Sequence, residues 1–308
     1  MKKILVTGGL GHIGSRLIRD LLKKGFFIAC VDNLSTQRIS SLRGLLENKN
    51  FLFIELDVAK NKAGLEQINA LEDCDSLIHM AAITNAEASL QNPEIIFKNN
   101  LEATKNVADI CFNHNLNLIF PSSTSVYGSS EKEVYEDEPA FLNPQSPYAE
   151  CKVQEENLIS ECNGLNASIL RLGTIFGISP GMRFHTAVNK FCWQAVLNKP
   201  ITVWKTAMNQ YRPYLDLDDA CKAFNFFMED HKDLKGVYNI LTANYTVKDI
   251  LEVIRKYKED TDIELVDSEI MNQLSYKVLN NKITKQGFEF KGNIDKGIKD
   301  TLYWLTNE

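Results

Sequence analysis

Four glycines within seven residues, in Gly8-Gly9-Leu10-Gly11-His12-Ile13-Gly14, constrain this chain more tightly than any other feature. They follow a short apolar run, Lys3–Thr7, of the kind that forms a buried strand. They open an amphipathic stretch, Gly11–Lys24, whose Ile13, Leu17, Ile18, Leu21 and Leu22 share one helix face. Glycine permits a tight turn and lets backbone approach a ligand closely, while a helix start presents free N–H groups and the positive end of its dipole. The spacing satisfies both G-x-G-x-x-G (Gly9, Gly11, Gly14) and G-x-x-G-x-x-G (Gly8, Gly11, Gly14). A glycine pattern alone is a weak signal. Here Asp32 closes the next apolar run, Phe26–Asp32, 18 residues beyond Gly14. An acid at about that separation accepts hydrogen bonds from adenosine ribose hydroxyls. It also repels a 2′-phosphate, so the pattern predicts NAD rather than NADP, with Arg38 nearby pulling the other way.

The alternation continues. Phe51–Leu56, Ser76–Met80, Asn117–Ser122 and Ala167–Leu172 read as buried strands, with a helix over Pro93–His114. Strands separated by helices pair in parallel, because parallel neighbours need long crossovers. The expected fold class is α/β: a Rossmann-type, doubly wound parallel sheet with a smaller, partly interleaved C-terminal α/β lobe. Residues 1–172 are assigned to the first lobe and 173–308 to the second, with segments near 211–240 returning to the first. Ile175–Arg183, holding Gly177, Pro180 and Gly181, reads as loop. Thr186–Leu197, Asp218–Met228 and Thr246–Tyr257 read as helices, the last with Thr246 as N-cap and Asp249 three residues on. Gly236–Leu241 and Asp262–Val266 read as strands, and the acidic run Glu131–Glu138 as a solvated loop.

Composition narrows the class. The 308 residues are 44% hydrophobic and 24% charged, which is ordinary for a globular chain. A formal charge of −6 argues against a nucleic-acid-binding surface. No apolar run approaches the ~20 residues of a membrane span, and no signal peptide is expected. Seven cysteines, an odd number with no C-x-x-C pair, read as reduced thiols of a cytoplasmic protein. Five histidines in no ligand pattern predict no metal site. His79 reads as strand-end packing, and Trp193, Trp204 and Trp304 as core, Trp204 with a further option of stacking on a ligand.

Tyr148 and Lys152 stand four residues apart after Asn143-Pro144-Gln145-Ser146-Pro147, whose prolines suit a helix start. At that spacing they share a helix face. A phenol with pKa ~10 is a poor base at neutral pH, and a nearby ammonium favours its phenolate. The pair could take a proton from a sugar hydroxyl as hydride leaves the same carbon. The hydroxyl cluster Ser122-Ser123-Thr124-Ser125 follows the fifth strand, and ligands of open α/β sheets bind beyond the carboxyl ends of strands.

Together these pieces resemble the extended short-chain dehydrogenase/reductase family, in its nucleotide-sugar epimerase/dehydratase branch. The resemblance spans essentially the whole chain. It runs through Gly8–Gly14, Asp32-Asn33, Asp57-Val58, His79-Met80-Ala81-Ala82, Asn100, Ser122–Gly128, Tyr148/Lys152, Arg171–Gly177, and Arg212 with Tyr214–Ala220. It implies that Ser123, Tyr148 and Lys152 are catalytic, with Tyr148 the base. It implies cofactor contacts at Gly8, Gly11, His12, Ile13, Gly14, Asp32, Asn33, Asp57, Val58, Ala81, Ala82, Asn100 and Ser122, besides Tyr148 and Lys152. Substrate contacts are implied at Thr84, Ser123, Thr124, Thr174 and Arg212, the last meeting phosphates. A homodimer through the helices Pro93–His114 and Tyr148–Glu161 is implied as well.

The chain departs from the family pattern in ways that bear on the reaction. Family dehydratases place an Asp-Glu pair where this chain has Thr124 and Ser125, and family decarboxylases carry Glu at the position of Ser125. Arg171-Leu172-Gly173-Thr174 replaces the Arg-Tyr-Phe-Asn of many epimerases. The expected activity is NAD-dependent 4-epimerisation of a nucleotide sugar. The alternatives are a single net oxidation or reduction of such a sugar, or a non-catalytic NAD-binding regulator.

Overall fold

The structure, a computed structural model, describes residues 2–36, 38–68, 71, 73–84, 90–130, 132–229, 233–267 and 275–307. The first lobe is built from strands β1 (Lys3–Thr7), β2 (Phe27–Asp32), β3 (Phe51–Glu55), β4 (Cys74–His79), β5 (Asn117–Ser123) and β6 (Ala167–Leu172). The helices between them are α1 (His12–Lys23), the short α2 (Lys62–Glu66), α3 (Pro93–Asn113) and α4 (Pro147–Glu161). The second lobe supplies β7 (Thr174–Phe176), α5 (Ala187–Val196), β8 (Ile201–Trp204), β9 (Tyr211–Asp216) and α6 (Leu217–Glu229). It continues through β10 (Gly236–Ile240), β11 (Ala243–Thr246), α7 (Val247–Tyr257), β12 (Ile263–Val266), α8 (Asn281–Thr284) and α9 (Ile294–Asn307).

The central sheet has the order β10-β6-β5-β4-β1-β2-β3, and every pairing in it is parallel. This is the doubly wound arrangement expected from the strand–helix alternation, with the strand order reversing between β1 and β4. Both faces are covered, so each strand is apolar on both sides. In β1, Ile4 and Val6 pack with Leu17, Ile18 and Leu21 of α1, while Leu5 joins Val107 and Cys111 of α3 on the other face.

β10 pairs with β6, and Asp219 of α6 ties the later chain down. Its buried carboxylate accepts from the backbone N–H groups of Lys291 and Gly292 and from the Thr242 hydroxyl, each at 2.8 Å. The small lobe holds a three-stranded sheet, β11-β9-β7, and a β12–β8 pair, packed around Val188, Phe191, Ile201, Ile250 and Ile298. Thr246 caps α7 through the reciprocal bond with Asp249 that the sequence spacing predicts.

Three expectations change. Trp193, read as core, is 40% exposed. Ile175 and Phe176, read as loop, belong to the strand Thr174–Phe176, which finds Tyr214–Asp216 of β9 as its register partner. Three residues are too few to show a period in sequence. The acidic run is not a free loop either: Val134 is buried and bridges Val278, and the Glu136 carboxylate accepts the Asn239 N–H at 2.6 Å. Asp137 pairs with Lys282, and Glu131 lies outside the described residues.

A buried ionic network locks the sheet to α4. Arg171 of β6 donates from Nε and Nη2 to the Glu156 carboxylate, the latter at 2.6 Å, and from Nη1 to the Tyr127 hydroxyl at 2.8 Å. Ser122 donates to the same carboxylate, and Tyr127 donates on to Asn239 of β10. Neither charge can be deleted alone without stranding the other in the interior. Glu156→Gln is therefore expected to cost about 3 kcal/mol, read as a fall in the urea unfolding midpoint at unchanged slope.

Candidate functional site

The site forms at the carboxyl ends of the strands, where β1 and β4 diverge. Gly8 takes a left-handed φ of +66°, and a Cβ there would stand 2.4 Å from the Ala81 backbone N. A Cβ on Gly14 would meet the Gly9 carbonyl oxygen at 2.6 Å. Both glycines are thus required by the protein's own packing. Gly11 is different: the nearest atoms to a Cβ there are Gly8 O at 3.4 Å and an Arg183 nitrogen at 3.9 Å. Gly11 is also the N-cap of α1, so the open side of this glycine faces the free N–H groups of a helix start. A phosphate fits that cradle.

Asp32 ends β2 beneath the turn and accepts the backbone N–H groups of Leu10 at 3.2 Å and Leu34 at 3.0 Å. Asn33, exposed beside it, caps Ser35 N and also bonds Asp57. Burial pushes the Asp57 carboxyl up, but bonds from Lys60, Asn33 and the Ala59 N–H outweigh it and hold the carboxyl below its usual range. Val58 is buried, and its carbonyl accepts from Asn106. Asn100, also buried, clasps the backbone of Ile83 from both sides, accepting at 2.9 Å and donating at 3.0 Å. Its amide thereby holds the segment Ala81–Thr84 in place. Similarly, the Ser122 side chain is spent on Glu156.

The segment after β7 forms a strap across the glycine turn. The His12 imidazole bonds the Gly177 carbonyl at 2.8 Å, so this ring faces the strap, while burial pushes its pKa down to about 4 and keeps it neutral. Ser179 donates to the His12 carbonyl, and the Gly181 N–H to Ser15. A Cβ on Gly181 would lie 2.4 Å from the Leu10 carbonyl oxygen. Ile13 packs against the core beneath. The strap carries Arg183 over the turn, where it bonds Thr84 and stands near Arg38 and Tyr148. Arg38 in turn bonds the Gly181 carbonyl. Burial and the Arg38 charge both pull the Arg183 guanidinium down, and its Nε is buried without a partner. Among the described residues no carboxylate pairs with it. The sequence reading missed Arg183, since a lone arginine in a glycine- and proline-rich loop carries no spacing signal.

Ser123, Tyr148 and Lys152 lie close together. Ser146 caps α4 by accepting the Ala149 N–H, and Pro147 opens it, which sets Tyr148 in the first turn. Ser123 stands beside the Tyr148 phenol and favours its ionised form. Ser123 Oγ accepts from Ser125 N at 3.2 Å and Ser125 Oγ at 2.9 Å, which leaves its own proton to be donated. Lys152 is buried, with Nζ 3.4 Å from the Pro121 carbonyl and 4.5 Å from the Phe120 ring centroid. Burial raises the Tyr148 pKa, and Lys152, Arg183 and Ser123 oppose that rise.

On the substrate side, Thr124 donates to the Leu172 carbonyl and lies near the buried Tyr276 phenol, as does Arg212. Tyr276, far along the chain, was not legible in sequence. Thr174 opens β7 opposite Tyr214, half-buried. Trp204 ends β8 and packs on the small-lobe core.

A family model described as the NAD dependent epimerase/dehydratase family matches residues 4–240. The UDP-glucuronate 4-epimerase of Thermodesulfobacterium geofontis (strain OPF15) is 27% identical, covering 97% of this chain and 95% of its own. The dTDP-D-glucose 4,6-dehydratase of Dictyostelium discoideum is 28% identical over 100% of this chain and 82% of its own. A trifunctional UDP-glucose 4,6-dehydratase/UDP-4-keto-6-deoxy-D-glucose 3,5-epimerase/UDP-4-keto-L-rhamnose-reductase of Arabidopsis thaliana is 27% identical over 99% of this chain. The chain spans about half, 47%, of that relative's length. Among solved structures, UDP-glucuronic acid 4-epimerase from Bacillus cereus in complex with UDP-glucuronic acid and NAD superposes with a TM-score of 0.88 at 25% identity, covering 98% of each chain.

The glycines separate by what limits them. Gly11→Ala is expected to leave the melting temperature within a few degrees of wild type while weakening dinucleotide binding at least tenfold by calorimetry. Gly14→Ala, which drives a methyl group into backbone, is expected to lower the melting temperature strongly, since overpacking costs about 1–3 kcal/mol.

Proposed function

Because the chain belongs to the NAD-dependent epimerase/dehydratase family, we propose that it is a nucleotide-sugar epimerase acting at C4. The observation that carries this reading is the makeup of the reactive cluster. Ser123, whose Oγ accepts from Ser125 and keeps its own proton to donate, stands beside Tyr148 and Lys152, and hydroxyls alone flank them at positions 124 and 125. Elimination of water from a sugar needs an acid and a base at the leaving group. The two buried carboxylates of α4 are committed elsewhere, Glu155 to Lys152 and Glu156 to Arg171. Among the described residues, no free carboxylate stands beside Ser123.

The glycine cradle, Asp32 and Arg183, which no carboxylate pairs with among the described residues, fit NAD. In this reading the N–H groups at the start of α1 and the Arg183 guanidinium hold its diphosphate, and Asp32 receives its adenosine ribose. Bound NAD supplies a hydride acceptor and donor and, when oxidised, a positive charge. Tyr148 removes the proton of the C4 hydroxyl, aided by the Lys152 ammonium. Ser123 donates to the same oxygen and stabilises it as charge develops. Tyr148 then returns the proton to that oxygen after the 4-keto sugar has turned. Arg212 and Thr124 would contact the nucleotide sugar, and α3 and α4 would form the dimer face.

Three measurements test the reading. UDP- and dTDP-hexoses incubated with the protein and no added cofactor should give a product of unchanged mass and new C4 configuration. A product lighter by two hydrogens would instead establish a net oxidation. Tyr148→Phe should reduce turnover by at least a thousandfold while sparing NAD binding; turnover near wild type would remove Tyr148 as the base. Arg183→Met should weaken NAD binding about tenfold, the value of a charge-assisted contact.

A further inference from the structure

Lys152 is not an isolated cation. Its Nζ lies 3.0 Å from Glu155 Oε2, with side-chain exposures of 3% and 0%. A carboxylate is rarely buried so completely without a purpose for its charge, because desolvation works against it. The other oxygen, Glu155 Oε1, accepts the Thr104 hydroxyl of α3 at 2.7 Å. That commits the Thr104 proton, so Thr104 Oγ1 accepts from His79 Nε2 at 3.3 Å. His79 is neutral, since burial pushes its pKa down to about 3 and Lys152 adds to the push. With its one proton on Nε2, its Nδ1 accepts the Thr7 hydroxyl at 2.7 Å, and Thr7 Oγ1 receives the Ala81 N–H at 3.4 Å. Every donor in this chain points the same way, from the turn at Ala81 toward Glu155. The carboxylate is thus the end point of a polarised line of hydrogen bonds and the ion-pair partner of one ammonium.

We propose that Glu155 is a positioning residue for the reaction: it is the counter-ion of Lys152, and its charge sets the pH at which Tyr148 gives up its proton. This rests on Tyr148 being the base. The carboxylate keeps Lys152 an ammonium where burial among Phe120 and Pro121 would otherwise release its proton. It also opposes ionisation of Tyr148, so the phenol is tuned by a balance of charges rather than by Lys152 alone. The other titratable groups that face the pair are Cys151 on the same helix, His79 at the end of β4 and Arg183 on the strap. Burial and Glu155 push the Cys151 thiol up to about 12, which leaves it a neutral bystander. Arg183 remains a fixed cation near Tyr148.

The sign of the effect is fixed by electrostatics. Glu155→Gln removes a negative charge, so the Tyr148–Lys152 pair releases its protons at lower pH. The acidic limb of the kcat/KM profile should move down by about one pH unit, and the alkaline limb should move down with it. The near-ultraviolet phenolate band of Tyr148, isolated by subtracting the spectrum of the matching Tyr148→Phe protein, should appear at lower pH by a similar amount and needs no substrate. Thr104→Val keeps the charge but removes the bond that offsets it, so a smaller shift in the opposite direction is expected. It serves where Glu155→Gln does not fold. Profiles and phenolate band unmoved in folded variants would overturn the proposal, as would a shift of the same sign in both. Turnover retained by Tyr148→Phe would instead overturn the reading of Tyr148 as the base, while the phenolate shift still reported on Glu155.

Discussion

Two neighbouring carboxylates on one helix organise this molecule. Glu155 and Glu156 of α4 are both buried, and one residue's rotation aims them at different partners. Glu156 meets Arg171 and Ser122 and so fastens the helix to β5 and β6. Glu155 meets Lys152 and Thr104 and so fastens it to α3. Because Tyr148 and Lys152 lie on the same helix, its seating on the sheet decides where the phenol stands relative to Ser123. Interior charges of this kind contribute little net stability, but they admit few alternative geometries.

A second constraint acts at the glycine turn. Its outer wall is the strap that follows β7, and the contact is made by main chain and small side chains: Gly181 against Leu10 and Gly11, Ser179 on His12, Gly177 on His12. Substrate-side and cofactor-side elements are thereby joined through one segment. Asn189 of α5 holds both ends of it, accepting the Gly177 N–H and donating to the Arg183 carbonyl. An arginine on so well-pinned a loop reaches the turn with little freedom left to lose, which favours recognition of an anion there.

The cations and hydroxyls of the cluster then divide the work around one phenol. Lys152 and Arg183 both bring positive charge near Tyr148, and Ser123 beside it is held by two bonds from Ser125. Against them stand burial and the Glu155 charge. The same local sequence without Glu155 would hold a more acidic phenol and a less secure ammonium. A base that must both take and return a proton is served by such a balance, since a phenolate stabilised too far would not take the proton back.

Much of this was legible from local pattern. The strand–glycine–helix succession, the Asp32 separation, the proline-marked helix start before Tyr148 and the Tyr148/Lys152 spacing are short-range features whose geometry the chain dictates within a few residues. The parallel sheet followed from alternation, and the Thr246–Asp249 cap from the spacing of those two residues. What escaped was long-range. Ile175 and Phe176 form a strand only because β9 lies beside them. The acidic run docks only because Val278, Asn239 and Lys282 meet it. Glu155 and Glu156 have the composition of a solvated helix face, and Arg183 and Tyr276 sit in segments without a period. Their roles arise from which charges the packed interior brings within a few ångströms of one another. Periodicity and spacing record how a segment curls, whereas the protonation of a buried group depends on partners that lie far along the chain.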